Sequence, residues 1–572
     1  MSSLQRQWVW RRRLVLGALA VAGLCLVGRA VQLQVLDREF YVGQGDARQQ
    51  RTVPLPAHRG MIVDRNGQPL AMSTPVDSVW VNPKDVLNEM HRLPELARIL
   101  DVPAENLAER IARGKSREFV YLKRHLPPHI AQAALDLEVP GVSLQREYRR
   151  YYPTGEVSGH LLGFTNIDDV GQEGLELAFN DWLSGKEGAK RILQDRLGQT
   201  VSDLGQIEAA RPGRDLALSI DRRVQYLAYR VLKSTVQKYQ ANAGSVVLLD
   251  ATTGEVIALA NQPGFNPNNR RGLVGSHYRN RAVTDVFEPG STMKPITVAA
   301  ALEAGKIAVD SKIRTAPGYL RVGNNDVRDT RDYGVLDPAG VIMKSSNVGA
   351  AKIALSMETE YHWDVLTRFG FGQPTGSGFP GETTGYLHGY HTWSEFEQAT
   401  ISFGYGLSSS ALQLARAYTV LANDGVLYPV SFQKGGLDGV RPSRVISSQT
   451  AQTVRDMMQT VVTRQGTAFK ARIPGYTVAG KTGTAYKYSR SGGYDKDRYT
   501  SVFAGMAPAT NPRFVAVVMI DEPQRGHYGG VVAAPAFAEL VGDALRLFDV
   551  APDDLPKGQR LAGQQADEGG AA

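Results

Sequence analysis

The first apolar feature of the chain is one long run. From Leu14 to Val27 every position is apolar or glycine, and after Gly28 and Arg29 the pattern resumes through Ala30, Val31, Leu33, Val35 and Leu36. As a helix, the 23 residues from Leu14 to Leu36 suffice to cross a hydrocarbon layer about 30 Å thick. Arg11, Arg12 and Arg13 precede the run. Such a basic cluster predicts a cytoplasmic N-terminus, residues 1–13, with everything beyond Leu36 outside. Arg29 falls towards the far interface, where its guanidinium can snorkel. A cleaved signal peptide is the alternative. Gly28-Arg29-Ala30 is a weak cleavage site, and bulky Leu24 is a poor neighbour for lipid attachment at Cys25, so an uncleaved single-pass anchor over 14–36 is preferred.

Beyond the run the patterns are shorter. Residues 37–217 are polar and broken by Pro54, Pro56, Pro127, Pro128, Pro140 and Pro153. Within them, 60–67 predicts a strand entering an Asn66-Gly67 hairpin turn, and 93–137 shows helical spacing in places. From Asp215 to Asp221 the alternation predicts a strand, followed by a helix over 222–237. Residues 244–250 and 255–260 are two apolar runs around a Gly254 turn, a hairpin. Helical patterns follow over 297–304 and 411–422, then strands over 500–507 and 514–520 and a closing helix over 535–548. Helices between early and late strands predict an α+β domain, 218–552, whose sheet joins both ends. Residues 37–217 form a separate domain, a spacer or interaction module. The tail 553–572 has little to bury and is expected to be disordered. No internal repeat is visible.

Composition narrows the function. A chain of 572 residues exceeds one core. A single cysteine, Cys25, excludes an internal disulfide and a cysteine-rich metal site. The net charge of +8 comes from 65 basic and 57 acidic residues, but the basic residues are scattered, which argues against nucleic acid as partner.

Three short strings carry the candidate chemistry: Ser291-Thr292-Met293-Lys294, Ser345-Ser346-Asn347 and Lys481-Thr482-Gly483-Thr484. Pro295 cannot donate a backbone hydrogen bond, so it limits how early the following helix starts and places Ser291 in or just before its first turn. Unsatisfied N–H groups and the positive helix end favour developing negative charge there. Lys294, three residues on, shares a face with Ser291. A serine hydroxyl needs a base, and a lysine serves when burial and a neighbouring cation, here Lys481, depress its pKa. Ser345 suits a proton relay between Lys294 and a leaving amine, and Asn347 suits a clamp on Lys294 and a substrate amide. Tyr476–Gly480 reads as a strand leading into Lys481, whose charge, with Thr482 and Thr484, suits a carboxylate. Gly483 lets a ligand backbone approach. Alone, each string has an ordinary reading: a helix-surface pair, a helix cap, a polar strand end. Together, in this order, they describe a serine acylation site of the penicillin-recognising type.

On these strings the sequence resembles the class B penicillin-binding proteins, membrane-anchored peptidoglycan D,D-transpeptidases. The resemblance extends to Arg59-Gly60-Met61-Ile62-Val63-Asp64-Arg65-Asn66-Gly67, Arg150-Tyr151-Tyr152-Pro153 and Gly171-Gln172-Glu173-Gly174-Leu175-Glu176, which are similar to the family's N-terminal pedestal signatures. Phe287–Ile296 and Asn347 resemble the division-specific branch, penicillin-binding protein 3 (FtsI-like), since the elongation branch tends to carry Asp at position 347. The resemblance implies a transpeptidase domain with a central antiparallel sheet flanked by helices, on an elongated pedestal over 37–217. It implies that Ser291 attacks the penultimate D-Ala carbonyl of a stem pentapeptide, that the amine of a neighbouring stem takes the acyl group, and that β-lactams acylate the same serine. It implies an oxyanion held by the N–H groups of Ser291 and Thr484. The implied location is the bacterial inner membrane at the septum, with the catalytic domain periplasmic. The implied partners are a SEDS-type glycosyltransferase and other division proteins, and no metal or organic cofactor is implied. Two positions depart from the family. Ser410-Ala411 stands where Thr-Pro is usual. His527-Tyr528 stands where division-type relatives often have two aromatics walling the ligand, a wall to which Tyr499 is a further candidate. A D,D-carboxypeptidase, a β-lactam hydrolase or receptor, and a non-catalytic division scaffold are the alternatives.

Overall fold

The computed structural model describes residues 3–41, 43, 50–194, 200–273, 275–436, 439–489 and 492–555; the tail expected beyond 553 lies almost wholly outside them. The N-terminal helix α1, Ser3–Val31, runs into a π-helical turn, Gln32–Leu36. Within Trp8–Leu36 its most apolar 18-residue stretch has a mean hydropathy of 2.2, and none of that stretch is buried. This helix is long and apolar enough to cross a membrane.

The rest forms two compact units, each discontinuous in sequence. The first comprises 1–58, 74–149 and 185–213. Its helices Leu93–Leu100, Ala104–Arg113 and Pro128–Leu135 close a core around Leu96, Leu107 and Leu122, which accounts for the intermittent helical spacing seen there. It also holds an antiparallel sheet of Gln50–Leu55, Gly188–Gln194 and Thr200–Glu208.

Among the described residues the second unit comprises 59–73, 150–184 and 214–555. Its sheet is antiparallel throughout, built from β1 (Ala243–Asp250), β2 (Val256–Gln262), β3 (Ala479–Tyr488), β4 (Tyr494–Ala507) and β5 (Phe514–Asp521) in the order β2-β1-β5-β4-β3. Every residue of β1 and β2 is buried; covered on both faces, they read in the sequence as continuous apolar runs rather than alternating ones. Early strand β1 pairs with late strand β5 on one side and with β2 on the other, so the sheet joins both ends of the domain as expected. Five helices matter to the site and its support. They are α2 (Arg222–Tyr239), α3 (Lys294–Glu303), α4 (Pro338–Lys344), α5 (Asn347–Leu355) and α6 (Ala411–Ala422). The closing helix α7, Ala534–Leu547, packs with α2 on the sheet. The Asp221 carboxylate caps α2 by accepting from the Arg223 N–H.

One predicted strand is much shorter than expected. Only Leu216–Ala217 of 215–221 is a strand. The N–H groups of Leu218, Ser219 and Asp221 go to three different segments, at the carbonyls of Val63, Phe432 and Ile257. Alternation there reflects burial at a junction, not a ladder.

The three pedestal-like strings meet inside the second unit. Glu176, fully buried, accepts from Arg59 Nε at 2.8 Å and Arg150 Nε at 2.6 Å. Arg150 also donates to the Gly60 carbonyl at 2.8 Å, and Arg59 to Asn180 and Ser184, each at 3.0 Å. Replacing Glu176 by Ala leaves two buried guanidinium groups without their anion. Denaturant unfolding of the Glu176→Ala protein is expected to show a loss of about 3–5 kcal/mol; a loss below about 1 kcal/mol, the size of a surface pair, would contradict this reading.

Candidate active site

The nucleophile turn is fixed from several sides. Gly290–Met293 is a 3-10 turn and α3 begins at Lys294, with Pro295 in its first turn, the placement of Ser291 predicted from Pro295. Gly290 takes φ 57° and its N–H donates to the Gly404 carbonyl at 3.1 Å. A Cβ on Gly404 would lie 2.1 Å from the Gly290 carbonyl oxygen, so only glycine fits. From α6, the Tyr418 hydroxyl donates to the Thr292 carbonyl at 2.7 Å.

The second string is a helix-to-helix corner. Ser345 closes α4 in the left-handed conformation, φ 59°, and Ser346 caps α5 by accepting from the Gly349 N–H. An αL residue at a helix end is normally Gly or Asn; here Asp329 holds the corner in place. Its carboxylate accepts from the N–H groups of Asn347 at 2.5 Å and Val348 at 3.1 Å, and from the Ser346 hydroxyl at 2.6 Å. The sequence reading missed Asp329. A lone acid 18 residues before Asn347 carries no local signal, and only the fold brings it to the start of α5.

Ser291, Lys294, Ser345, Asn347 and Lys481 converge on one point. Lys294 Nζ lies 3.0 Å from Ser291 Oγ, 3.1 Å from Ser345 Oγ, 2.6 Å from the Ser345 carbonyl oxygen and 2.7 Å from Asn347 Oδ1. The Asn347 amide nitrogen donates to the Arg328 carbonyl at 3.0 Å, so its oxygen is the atom facing Lys294. Lys481 Nζ is 3.0 Å from Ser345 Oγ and 3.1 Å from the Thr482 carbonyl oxygen. Both lysines are fully buried. Burial, then the charge of Lys481, hold the Lys294 amine well below the ordinary lysine range, against the opposing pull of Asp329; burial lowers Lys481 to about 7. The arrangement fits a neutral Lys294. A neutral amine has two N–H groups and one lone pair. The Ser345 carbonyl and Asn347 Oδ1 can only accept, and they take both N–H groups. The lone pair is left for a hydroxyl, and Ser291 Oγ stands within reach.

Strand β3 is the free edge of the sheet, so Lys481–Thr484 lies on the strand edge the sequence predicts. Gly483, expected to let a ligand approach, has a packing role here: a Cβ would lie 2.7 Å from the Pro289 carbonyl oxygen, so the glycine lets the turn that carries Ser291 pack on β3. A Cβ built on Gly290 would lie 3.7 Å from the Thr484 nitrogen, which puts the Thr484 N–H beside the turn that carries Ser291. The Thr484 hydroxyl accepts from the Gly529 N–H at 3.1 Å, and the Thr482 and Thr467 hydroxyls are 3.0 Å apart. Tyr499 stacks on His527 at 4.3 Å and 13°, and His527 lies 4.3 Å from the exposed Tyr528. The predicted rings therefore form one wall, extended by Tyr486 at 5.1 Å from Tyr499, a ring the sequence reading did not single out. Ser410 caps α6 by accepting from the Gln413 N–H, so the departure at Ser410-Ala411 keeps the helix start. Among the described residues no group of three or more His, Cys, Asp or Glu is placed to hold a metal ion.

Comparison with known proteins agrees with this geometry. Residues 244–542 match the penicillin-binding protein transpeptidase domain and residues 54–218 match the penicillin-binding protein dimerisation domain. The chain belongs to the penicillin-binding protein transpeptidases. It is 42% identical over 566 residues, 99% of this chain and 100% of the relative, to a probable peptidoglycan D,D-transpeptidase, PbpC, of Pseudomonas aeruginosa. It is 42% identical to the peptidoglycan D,D-transpeptidase FtsI of Escherichia coli, covering 96% of this chain and 94% of the relative. Among solved structures it is similar to the transpeptidase domain of Burkholderia pseudomallei penicillin-binding protein 3, with 45% identity, TM-score 0.55 and coverage of 59% of this chain and 98% of that one. It is also similar to penicillin-binding protein 3 of Mycobacterium tuberculosis complexed with aztreonam, with 30% identity, TM-score 0.68 and coverage of 88% and 98%.

In a penicillin-binding protein this site gives a pH dependence of known sign. A serine attacks only when its base is unprotonated, so with Lys294 as that base acylation is expected to rise with pH through the pKa of Lys294. That limb is expected well below the free-lysine value of about 10.4. The Lys481 charge disfavours a second ammonium nearby, so Lys481→Ala is expected to move the limb to higher pH while slowing the reaction. Stopped-flow acylation by a chromogenic β-lactam from pH 5 to 10 measures both, and a limb that stays put or moves down in Lys481→Ala would contradict the coupling.

Proposed function

We propose that this chain is the membrane-anchored D,D-transpeptidase that cross-links peptidoglycan stem peptides during septal wall synthesis, acting through an acyl-enzyme on Ser291. The observation that carries the reading is the 3.0 Å approach of a depressed, buried lysine amine to Ser291 Oγ. The residues divide the reaction as follows. Lys294 takes the Ser291 proton as Oγ attacks the penultimate D-Ala carbonyl of a stem pentapeptide. The N–H groups of Ser291 and Thr484 hold the oxyanion. Ser345, within reach of both Lys294 and Lys481, passes the proton to the leaving D-Ala amine. Asn347 fixes Lys294 and the substrate amide. Lys481 and the hydroxyls of Thr482 and Thr484 meet the terminal carboxylate, the stem lies along the β3 edge across Gly483, and Tyr499, His527 and Tyr528 wall it. The amine of a neighbouring stem then attacks the ester. A β-lactam enters the same cycle and leaves slowly, because a hydrolytic water needs its own base. Glu288, the acid near Ser291 in sequence, has one oxygen committed to the Gly406 N–H and the Tyr494 hydroxyl, both at 2.9 Å.

The remaining parts of the proposal rest on the sequence and on family membership. Residues 1–13 are cytoplasmic, 14–36 anchor the chain in the inner membrane, 37–217 form the pedestal and 218–552 the periplasmic transpeptidase domain, with a SEDS-type glycosyltransferase and other division proteins as partners. Two experiments test the reading. Fluorescent penicillin is expected to label the protein at Ser291 and to leave Ser291→Ala unlabelled, and D-Ala release from a pentapeptide is expected to fall in that variant to the uncatalysed level. Labelling of the variant would displace Ser291 as nucleophile. Depletion in the source cell is expected to give filaments; rounded cells would point to elongation instead.

A further inference from the structure

At the Thr482 end of the site the loop 463–468 packs against β3. The Thr467 hydroxyl lies 3.0 Å from that of Thr482. A Cβ on Gly530 would lie 2.0 Å from the Thr467 carbonyl oxygen, so the loop also meets the segment that follows His527 and Tyr528. This loop and the turn after it carry a concentrated positive charge. Arg464 and Arg472 both stand over the Phe469 ring, 5.9 Å and 5.4 Å from its centre, and Phe469 is 39% exposed. Lys470 is exposed beside it. Lys344, next to Ser345, donates to the Gln465 carbonyl at 3.0 Å. None of these cations makes an ion pair among the described residues. Other exposed arginines of this unit do find a carboxylate: Arg230 has Glu539, Arg279 has Asp285 and Arg498 has Glu522. Like charges on one face repel, and here the fold supplies no anion to offset them. The patch is complementary to an anionic ligand.

We propose that this patch holds the carboxylates of the acceptor stem peptide. The inference rests on the transpeptidase reading above. In that reading D-Ala departs past Thr482, whose hydroxyl meets its carboxylate. Attack by the acceptor is that departure run backwards with a different amine, so the acceptor amine arrives by the same path. Its nitrogen forms a C–N bond as the ester C–O bond breaks, and the proton it loses returns to Ser291 Oγ. The rest of the acceptor then extends outward over loop 463–468. A stem peptide ends in a carboxylate, so the acceptor brings negative charge to the face where Arg464, Lys470 and Arg472 lie. The donor has no use for the patch, since Lys481 meets its terminal carboxylate and its stem lies along β3. A basic rim raises the local concentration of an anionic acceptor and leaves that of water unchanged. It thereby favours transfer over hydrolysis, which is the difference between a transpeptidase and a carboxypeptidase.

The test forms the acyl-enzyme from a D-Ala thioester donor and partitions it between water and an added amine. The amine is a stem-like tetrapeptide, which cannot itself be a donor, with its carboxylates free or converted to carboxamides. The readout is the ratio of aminolysis to hydrolysis. The wild-type protein is expected to favour the carboxylate form by about three- to tenfold more than the triple variant Arg464→Gln, Lys470→Gln, Arg472→Gln does, the range of a few exposed ion pairs. High salt is expected to shrink the preference. Each single Gln variant is expected to lose part of it and serves if the triple variant does not fold. Arg464→Lys with Arg472→Lys keeps the charge and is expected to keep the preference; its loss there would mark a packing role and overturn the proposal. Equal preference in the wild-type and Gln proteins also overturns it. So does a Gln protein that keeps the preference but no longer binds phosphatidylglycerol vesicles, which would assign the patch to a lipid surface. Thiol release without acceptor tests the underlying reading separately. If the wild-type protein releases none, the transpeptidase reading and the patch fall together; release with equal preference removes only the patch.

Discussion

Two fully buried lysine amines stand within hydrogen-bond reach of one serine hydroxyl. The rest of this structure depends on that constraint. Moving an ammonium out of water costs several kcal/mol even after relaxation, and a second like charge beside it adds to the penalty. The least costly resolution is for the more crowded amine to give up its proton. Lys294 is the more crowded, with Ser291, Ser345 and Asn347 around its nitrogen. The same burial that is a liability for folding lowers its pKa, as the proposed base requires, and the four oxygens around it decide which way a lone pair would point. The chemistry is a consequence of where the fold refuses water.

Such a cluster needs rigid walls, and three kinds of packing supply them. Gly404 and Gly483 let the nucleophile turn, the loop after residue 401 and the edge of β3 come closer than any side chain permits, and Gly290 takes the left-handed φ at the start of the turn. Asp329 ties the ends of α4 and α5 into a fixed corner, which keeps a non-glycine residue, Ser345, in the left-handed conformation with its hydroxyl between the two lysines. Tyr418 reaches from α6 to the backbone of the turn. None of these groups touches the reacting atoms, yet each sets the position of one that does. The Glu176 cluster plays a comparable structural part elsewhere in the same unit, where one buried carboxylate gathers guanidinium groups from segments far apart in sequence.

Much of this was legible in the chain because the signals are local. Pro295 marks where α3 can begin, so the place of Ser291 follows from one residue. The apolar runs of β1, β2 and β5 are unbroken because both faces of those strands are covered. The apolar run into Lys481 marks β3, although the strand begins only at Ala479 and continues through Lys481–Thr484 to Tyr488. What stayed hidden depends on contacts distant in sequence. Asp329 looks like any turn residue until α5 arrives beside it. The alternation at 215–221 looks like a strand but marks a junction where each N–H finds a different partner. Residues 59–73 and 150–184 read as part of the 37–217 domain, and only contacts distant in sequence, such as Tyr152 with Asn268 and Gln225 with the Val157 carbonyl, group them in the compact unit that also holds the site. Tyr486 joins the aromatic wall only through its pairing with Tyr499 across β3 and β4.

The central claim is that Lys294 is unprotonated in the resting protein at neutral pH. Nuclear magnetic resonance of lysine labelled at the ε-carbon, with the Lys294 signal assigned from its absence in Lys294→Arg, reads that state directly. The account predicts the chemical shift of a neutral amine at pH 7.5, with titration only at lower pH. An ammonium shift persisting to pH 9 would contradict it, and would require another group to take the proton from Ser291.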